Sequence, residues 1–107
     1  SHDTYGPIGP YLVTKDEIPN INDLNMSLDL NGERMQTGNT KTMIFDVDTV
    51  VSYVSKFMTL CTGDIITTGT PPGVGMGKKP QLFLKNGDNL KLRIDNLGEQ
   101  NSKVVTI

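Results

Sequence analysis

The chain has 107 residues, 36% hydrophobic and 21% charged, enough for one small domain spanning 1–107 that buries about 60 to 70% of its unfolded surface. Its 12 acidic and 10 basic residues leave a net charge of -2 with no run of like sign, so neither nucleic acid nor an anionic membrane is indicated as a partner. The single Cys61 excludes an internal disulfide framework and suits a reducing, cytoplasmic setting, and no apolar stretch approaches the ~18 residues that a membrane span needs.

The opening SHDTYGPIGPYLVT runs within ten residues into an extended apolar segment, Tyr11 to Val13, with Pro7 and Pro10 holding φ at about −65°. There is no capped first element and no initial Met, so the beginning reads as a cut, and no signal peptide is visible. Ser1, His2 and Asp3 spell a triad in letters only, because consecutive residues of an extended chain point to opposite faces. KDEIPNIND, residues 15 to 23, is a polar loop broken by Pro19. Leu24, Met26, Leu28 and Leu30 then alternate with Asn25, Ser27 and Asp29, which predicts a strand with one dry face. Asn31-Gly32 predicts a tight hairpin, with Glu33, Arg34, Met35 and Gln36 returning as the antiparallel partner before TGNTKT.

One helix is legible. Val47, Val50, Val51, Val54, Phe57 and Met58 fall on a single 3.6-residue stripe, with Asp46 or Asp48 as the N-cap and Lys56 near the C-terminal end. Its β-branched valines lower intrinsic propensity, so it is expected to form by docking that stripe on a sheet. Behind it the pattern of Leu, then Gly-Asp, then apolar residues occurs twice, at Leu60–Ile66 and at Leu84–Leu90. Both read as tight turns that launch a strand, with Gly supplying positive φ and Asp bonding nearby amides. The expected strands are Ile65 to Thr68, Leu90 to Ile94, and Lys103 to Ile107 after Asn96-Leu97-Gly98. The sum is an α+β domain: five to seven short, mainly antiparallel strands around one amphipathic helix.

TTGTPPGVGMG, residues 67 to 77, is the segment that looks built for a ligand. A phosphate-binding P-loop fails because Gly77 is followed by Lys78 and Lys79, and a dinucleotide fingerprint fails because Lys78 stands where a third Gly belongs. No HxxxH, CxxC or calcium-loop spacing is present. Cys61 is a poor nucleophile candidate, with the one histidine about sixty positions away. From the residues alone, the loop is either a ligand clamp or a tight turn closed by prolines.

The blocks DTYGPIGPYLVTKDEIP, LNGERMQTGNTKTMIF, SKFMTL, GDIITTGTPPGVG and FLKNGDNLKLRIDNLG resemble, in order and spacing, the C-terminal part of the catalytic domain in the fumarylacetoacetate hydrolase family. The resemblance implies a fumarylacetoacetase C-terminal-like fold, β-roll-like with mixed sheets, and here incomplete. It implies an enzyme using Mg2+ or Mn2+ on small 2-oxo acids of the acylpyruvate kind, by C–C hydrolysis, isomerisation, hydration or decarboxylation through a metal-bound enolate. It also implies a cytoplasmic homodimer. The family's metal carboxylates, its His–Glu dyad and a substrate-side lysine precede the segment seen here. No catalytic or metal-binding residue is therefore assigned, and His2 does not match the catalytic histidine. What carries over is Thr70, facing the 2-oxo acid, with Gly69 and Gly73 giving backbone amides room to approach the anion. Gln36 to Thr40 match a second block, whether lining or supporting the site. The rival expectation is a non-catalytic binding or scaffold module whose exposed strand edges pair with another chain.

Overall fold

The computed structural model describes residues 2–106; Ser1 of the Ser1–His2–Asp3 run and Ile107, the end of the expected last strand, lie outside the described residues. Four strands form one antiparallel sheet: β1 (Asn25–Leu30), β2 (Glu33–Asn39), β3 (Asn89–Ile94) and β4 (Gly98–Lys103), in the spatial order β2-β1-β3-β4. One helix, α1 (Val47–Ser55), stands between β2 and the glycine-rich loop in sequence. The α+β class and the antiparallel pairing match the sequence reading.

The hairpin turn forms where Asn31-Gly32 places it. Both residues adopt positive φ, 51° and 85°, as a two-residue type I′ turn requires. Asn31 does more than turn the chain. Its Nδ2 donates to Asp88 Oδ1 at 2.9 Å and its Oδ1 accepts from the Asn89 amide at 2.9 Å, which ties the turn to the start of β3.

Alternation along β1 and β3 makes the sheet one-sided. Met26 lies opposite Ile94, Leu28 opposite Leu92 and Leu30 opposite Leu90 on one face, while Asn25, Ser27, Asp29, Lys91 and Arg93 take the polar face, where Lys91 Nζ meets Glu99 Oε2 at 3.1 Å. Among the described residues, Leu24 and Leu30 are the buried apolar side chains, at 4% and 8% exposure.

A bulge then changes which residues of β2 join the apolar face. The register steps from Asp29↔Arg34 to Leu28↔Gln36, so Met35 is the extra residue. Had the hairpin continued without it, Met35 would oppose Leu28, and Gln36 and Gly38 would point to the polar side. With it, Gln36 and Gly38 lie opposite Leu28 and Met26, on the face that the glycine-rich loop covers.

The two Gly-Asp turns have the same construction. Asp64 Oδ2 accepts from the Cys61 amide and Asp88 Oδ2 from the Lys85 amide, each at 2.7 Å, with Gly63 at φ 96° and Gly87 at φ 89°. Their outcomes differ. The second launches β3, but the expected strand Ile65 to Thr68 is not formed, because the described residues place no neighbouring strand beside it to accept a ladder. The expected Lys103 to Ile107 strand is corrected as well. β4 ends at Lys103, where that strand was expected to begin, and Val104 adds only a backbone pairing with Gly87 and Asp88. Four strands are thus observed among the described residues rather than five to seven.

β4 escaped notice because GEQNSK has no hydrophobic alternation. It is an edge strand crossed by the N-terminal extended segment. A Cβ on Gly98 would lie 2.8 Å from Tyr11 Cζ, and Gln100 Nε2 donates to the Gly9 carbonyl at 3.2 Å. Small and polar residues there make room for the tyrosine ring.

The helix begins at the Asp46 N-cap, whose carboxylate accepts from the Thr49 amide at 2.8 Å. It ends at Ser55, three residues short of the expected stripe, as Lys56, Phe57 and Met58 tighten onto the Tyr53 and Val54 carbonyls. Val47, Val50 and Val54 are half-buried, whereas Phe57 is 70% and Met58 61% exposed. The stripe therefore covers only part of its length against this chain. The accessible surface is 8672 Å² for 11.7 kDa, against about 5,900 Å² for a compact monomer of that mass. Ile44, Phe45, Tyr53 and Phe57 are among the large apolar side chains that stay open.

Candidate functional site

Residues 67–77 are held at three points, two of them on the bulged strand. Pro71 sits directly on Gly38, where a Cβ would come within 2.6 Å of the proline Cβ. Gly73, at φ 111°, passes so close to the Met35 carbonyl of the bulge that no side chain fits. Gly75 packs on the Leu82 backbone and its carbonyl accepts from the Leu82 amide at 3.0 Å. Gly69 is different: a Cβ there would meet nothing within 4 Å, so its φ of 97° alone favours glycine.

Gln36 stands between strand and loop. Its Nε2 donates to Thr70 Oγ1 at 2.9 Å and to the Pro71 carbonyl at 2.6 Å. On one side of this contact lies a small cavity of about 60 Å³, bounded by Leu28, Leu30, Met35, Gly73 and Lys78. On the other opens a cleft of about 690 Å³ between the sheet, the helix and the loop, a size suited to a small-molecule ligand. Its floor is apolar, from Met26, Ile94, Met43, Phe45, Val47 and Val50, and its rim is polar, from Asn39, Thr40, Thr42, Thr68 and Thr70. Among the described residues no charged side chain lines it.

The structure therefore brings Thr70 and Gly69 together with Asn39 and Thr40 at the cleft, and sets Gly73 against Met35 beside the smaller cavity. Within the Gln36 to Thr40 block, Gln36 and Gly38 support the loop while Asn39 and Thr40 line the cleft. Thr40 is itself fixed, its Oγ1 accepting from the Leu24 amide at 2.9 Å and donating to the Ile21 carbonyl at 2.7 Å. Sequence reasoning missed Gly38 as a contact. The signal was available, since a glycine inside a strand marks close backbone approach. The apolar floor could not be anticipated, because it joins Ile94 of β3 to residues 26–50 of the strand, loop and helix far from it in sequence.

Five of the carboxylates have structural occupations. Asp46 caps the helix, Asp64 and Asp88 close turns, Asp95 accepts from Asn25 Nδ2 at 2.8 Å, and Asp29 pairs with Arg34. The Thr49 hydrogen bonds hold Asp46 below its ordinary pKa, and the Asn31 side chain and then the Lys85 amide do the same for Asp88. Glu99 is lowered by Asn101 and then Lys91. None of these three groups lines the cleft. Among the described residues no group of three or more His, Cys, Asp or Glu could hold a metal ion, and no helix is long and apolar enough to cross a membrane.

Comparison with known proteins places this geometry. The family model of the fumarylacetoacetate (FAA) hydrolase C-terminal region matches residues 1–105. The chain is 59% identical over 104 residues to a 2,4-didehydro-3-deoxy-L-rhamnonate hydrolase of Sphingomonas sp., covering 96% of this chain and 36% of that protein. A maleylpyruvate hydrolase from Sphingobium sp., solved in complex with manganese(II) ion and pyruvate, superposes with a TM-score of 0.89 at 36% identity, covering 98% of this chain and 37% of that one. A 5-carboxymethyl-2-hydroxymuconate delta-isomerase from Mycobacterium smegmatis superposes at 0.83 and 33% identity, covering 97% of this chain and 38% of that one. The chain thus spans about a third of the length of these relatives, and with the family model matched over nearly all of its residues it belongs to the fumarylacetoacetate hydrolase family.

Proposed function

We propose that this chain forms the carboxylate-holding wall of a metal-dependent enzyme that acts on acylpyruvate-like 2-oxo acids, by C–C hydrolysis or by isomerisation, hydration or decarboxylation. The observation that carries the reading is Thr70: the loop is locked on β2, and this exposed threonine, whose Oγ1 accepts from Gln36, stands with Gly69 at the rim of a ligand-sized cleft. Among the described residues the amides of Thr68, Gly69 and Thr70 have no hydrogen-bond partner in the chain. They and the Thr70 hydroxyl form a cluster of neutral donors suited to a carboxylate. The apolar floor receives the carbon skeleton and excludes water. Gly73 serves the same anion wall indirectly, by letting the loop reach the Met35 bulge.

The divalent cation comes to this proposal from the manganese-bound relative, with Mg2+ as the alternative that the family resemblance implies. The residues described here do not fit it, since no donor cluster exists and the cleft has no charged lining. No step is therefore assigned to them through the metal. The whole protein is proposed as a cytoplasmic homodimer and this chain as the C-terminal part of its catalytic domain.

Thr70→Val in the full-length protein tests the reading. The change keeps the β-branch and removes the hydroxyl, so a hydrogen bond to a charged ligand group worth about 1.5 to 3 kcal/mol is lost. This predicts roughly a 10- to 150-fold fall in kcat/KM with an almost unchanged unfolding midpoint. The rival, a scaffold module with a purely structural loop, predicts the reverse: kcat/KM within about twofold and a lowered midpoint.

A further inference from the structure

We infer that Gln36 is a positioning residue that sets the polarity of the Thr70 hydroxyl; this rests on the reading of Thr70 as a carboxylate contact. The Pro71 carbonyl can only accept a hydrogen bond. The atom of the Gln36 amide that lies 2.6 Å from it must therefore be the nitrogen, which fixes the orientation of the whole amide group. That same nitrogen, 2.9 Å from Thr70 Oγ1, gives its second hydrogen to it, so the hydroxyl oxygen is obliged to accept.

An oxygen that accepts from behind keeps its own hydrogen for another partner. With the strand side taken by Gln36, that hydrogen points into the cleft, where Thr70 lies on the rim. A hydroxyl otherwise free to rotate, and able to present lone pairs to an anion, is converted into a dedicated donor. The polarity suits a carboxylate and works against a ligand that offers only hydrogens at this place.

The β2 bulge makes the contact possible. Gln36 reaches the loop because Met35 is the extra residue, which puts Gln36 opposite Leu28 and Gly38 opposite Met26, on the apolar face. Gly38 then lets Pro71 close on the strand and bring its carbonyl to the amide. A serine, threonine or hydrophobic residue at position 36 could fill the space, but none offers two hydrogens from one nitrogen at that reach.

The test uses the full-length protein with Mn2+, pyruvate as a non-reacting probe measured by calorimetry, and the thermal midpoint of each variant. Gln36→Met keeps the length and removes the donors. Gln36→Glu keeps the shape and turns donors into acceptors, so the Thr70 hydrogen is drawn back from the cleft. Both are expected to weaken pyruvate roughly three- to tenfold. On a Thr70→Val background Gln36→Met is expected to add less than about twofold, because its effect passes through the hydroxyl. The Gln36→Glu loss, taken relative to wild type at the same pH, is expected to shrink as pH falls through the carboxylate range near about 4.3, where the protonated acid regains one donor.

Full multiplicative losses in the double variant would overturn the inference, as would a Gln36→Glu loss independent of pH. If Gln36→Met lowers the midpoint too far to bind, the isosteric Gln36→Glu series decides alone. A Thr70→Val protein that binds pyruvate like wild type overturns the carboxylate reading itself and the inference with it. A weakened Thr70→Val beside an unaffected Gln36→Met and Gln36→Glu overturns the inference only.

Discussion

Gly38→Ala is the smallest perturbation that separates loop seating from loop chemistry. The new Cβ would lie 2.6 Å from Pro71 Cβ, 3.2 Å from Pro71 Cγ and 3.4 Å from Met26 Cγ. The proline ring cannot rotate away, so the loop must retreat by about 1 Å to reach an ordinary carbon contact of about 3.6 Å. A retreat of that size along the contact carries the Pro71 carbonyl from 2.6 Å to about 3.6 Å from Gln36 Nε2, beyond hydrogen-bond range. Overpacking costs about 1 to 3 kcal/mol and the lost bond about 1 kcal/mol. Gly38 is not at positive φ, so alanine brings no backbone strain and recovers about 0.5 to 1 kcal/mol through the unfolded state. The net expectation is a destabilisation of about 1 to 3 kcal/mol, read as a lower urea midpoint at unchanged slope in the full-length protein. Pyruvate affinity should fall with it, since Thr70 moves with Pro71. A Gly38→Ala protein within about 0.5 kcal/mol of wild type, with unchanged affinity for pyruvate, would refute the seating of the loop on β2.

Three further expectations follow from the same coordinates. The pKa of Asp88 is lowered in the folded state by Asn31 and then by the Lys85 amide, so its stabilisation is complete above the ordinary value of 3.8 and is lost as pH falls through the lowered folded value; urea titrations of Asp88→Asn from neutral to acid pH should show a shallower acid loss than wild type, and an identical acid slope would count against the turn bond. The 107 residues alone, given Mn2+ and a small acylpyruvate, should show no turnover by the disappearance of the substrate's ultraviolet absorbance, because no metal-holding donor cluster exists among the described residues; a rate comparable to a full-length relative would sink the proposal. The open apolar surface around Ile44, Phe45, Tyr53 and Phe57 needs cover, and light scattering on the intact protein at micromolar concentration should give twice the monomer mass, a clean monomer contradicting the proposed homodimer.

The sequence by itself determined the local chemistry. Alternation from Leu24 to Leu30 specified β1 and its dry face, Asn31-Gly32 specified the hairpin because both residues tolerate positive φ, and Asp46 and the valine stripe specified the helix. The two Gly-Asp turns were legible for the same reason: a glycine and a short carboxylate close them without help from elsewhere. What required partners was not legible. Ile65 to Thr68 has strand-like residues but no neighbour to bond, whereas the polar GEQNSK becomes β4 because β3 lies beside it. The helix stripe extends in sequence to Met58, yet only its first two turns meet this chain. Above all, tertiary structure chose the face of Gln36. In ERMQTGN one apolar residue stands among polar ones, so no periodicity locates the bulge, and a one-residue slip exchanges the two faces of a strand. The close approach of Pro71 to Gly38 and of Gly73 to Met35 selects the register that turns Gln36 toward Thr70.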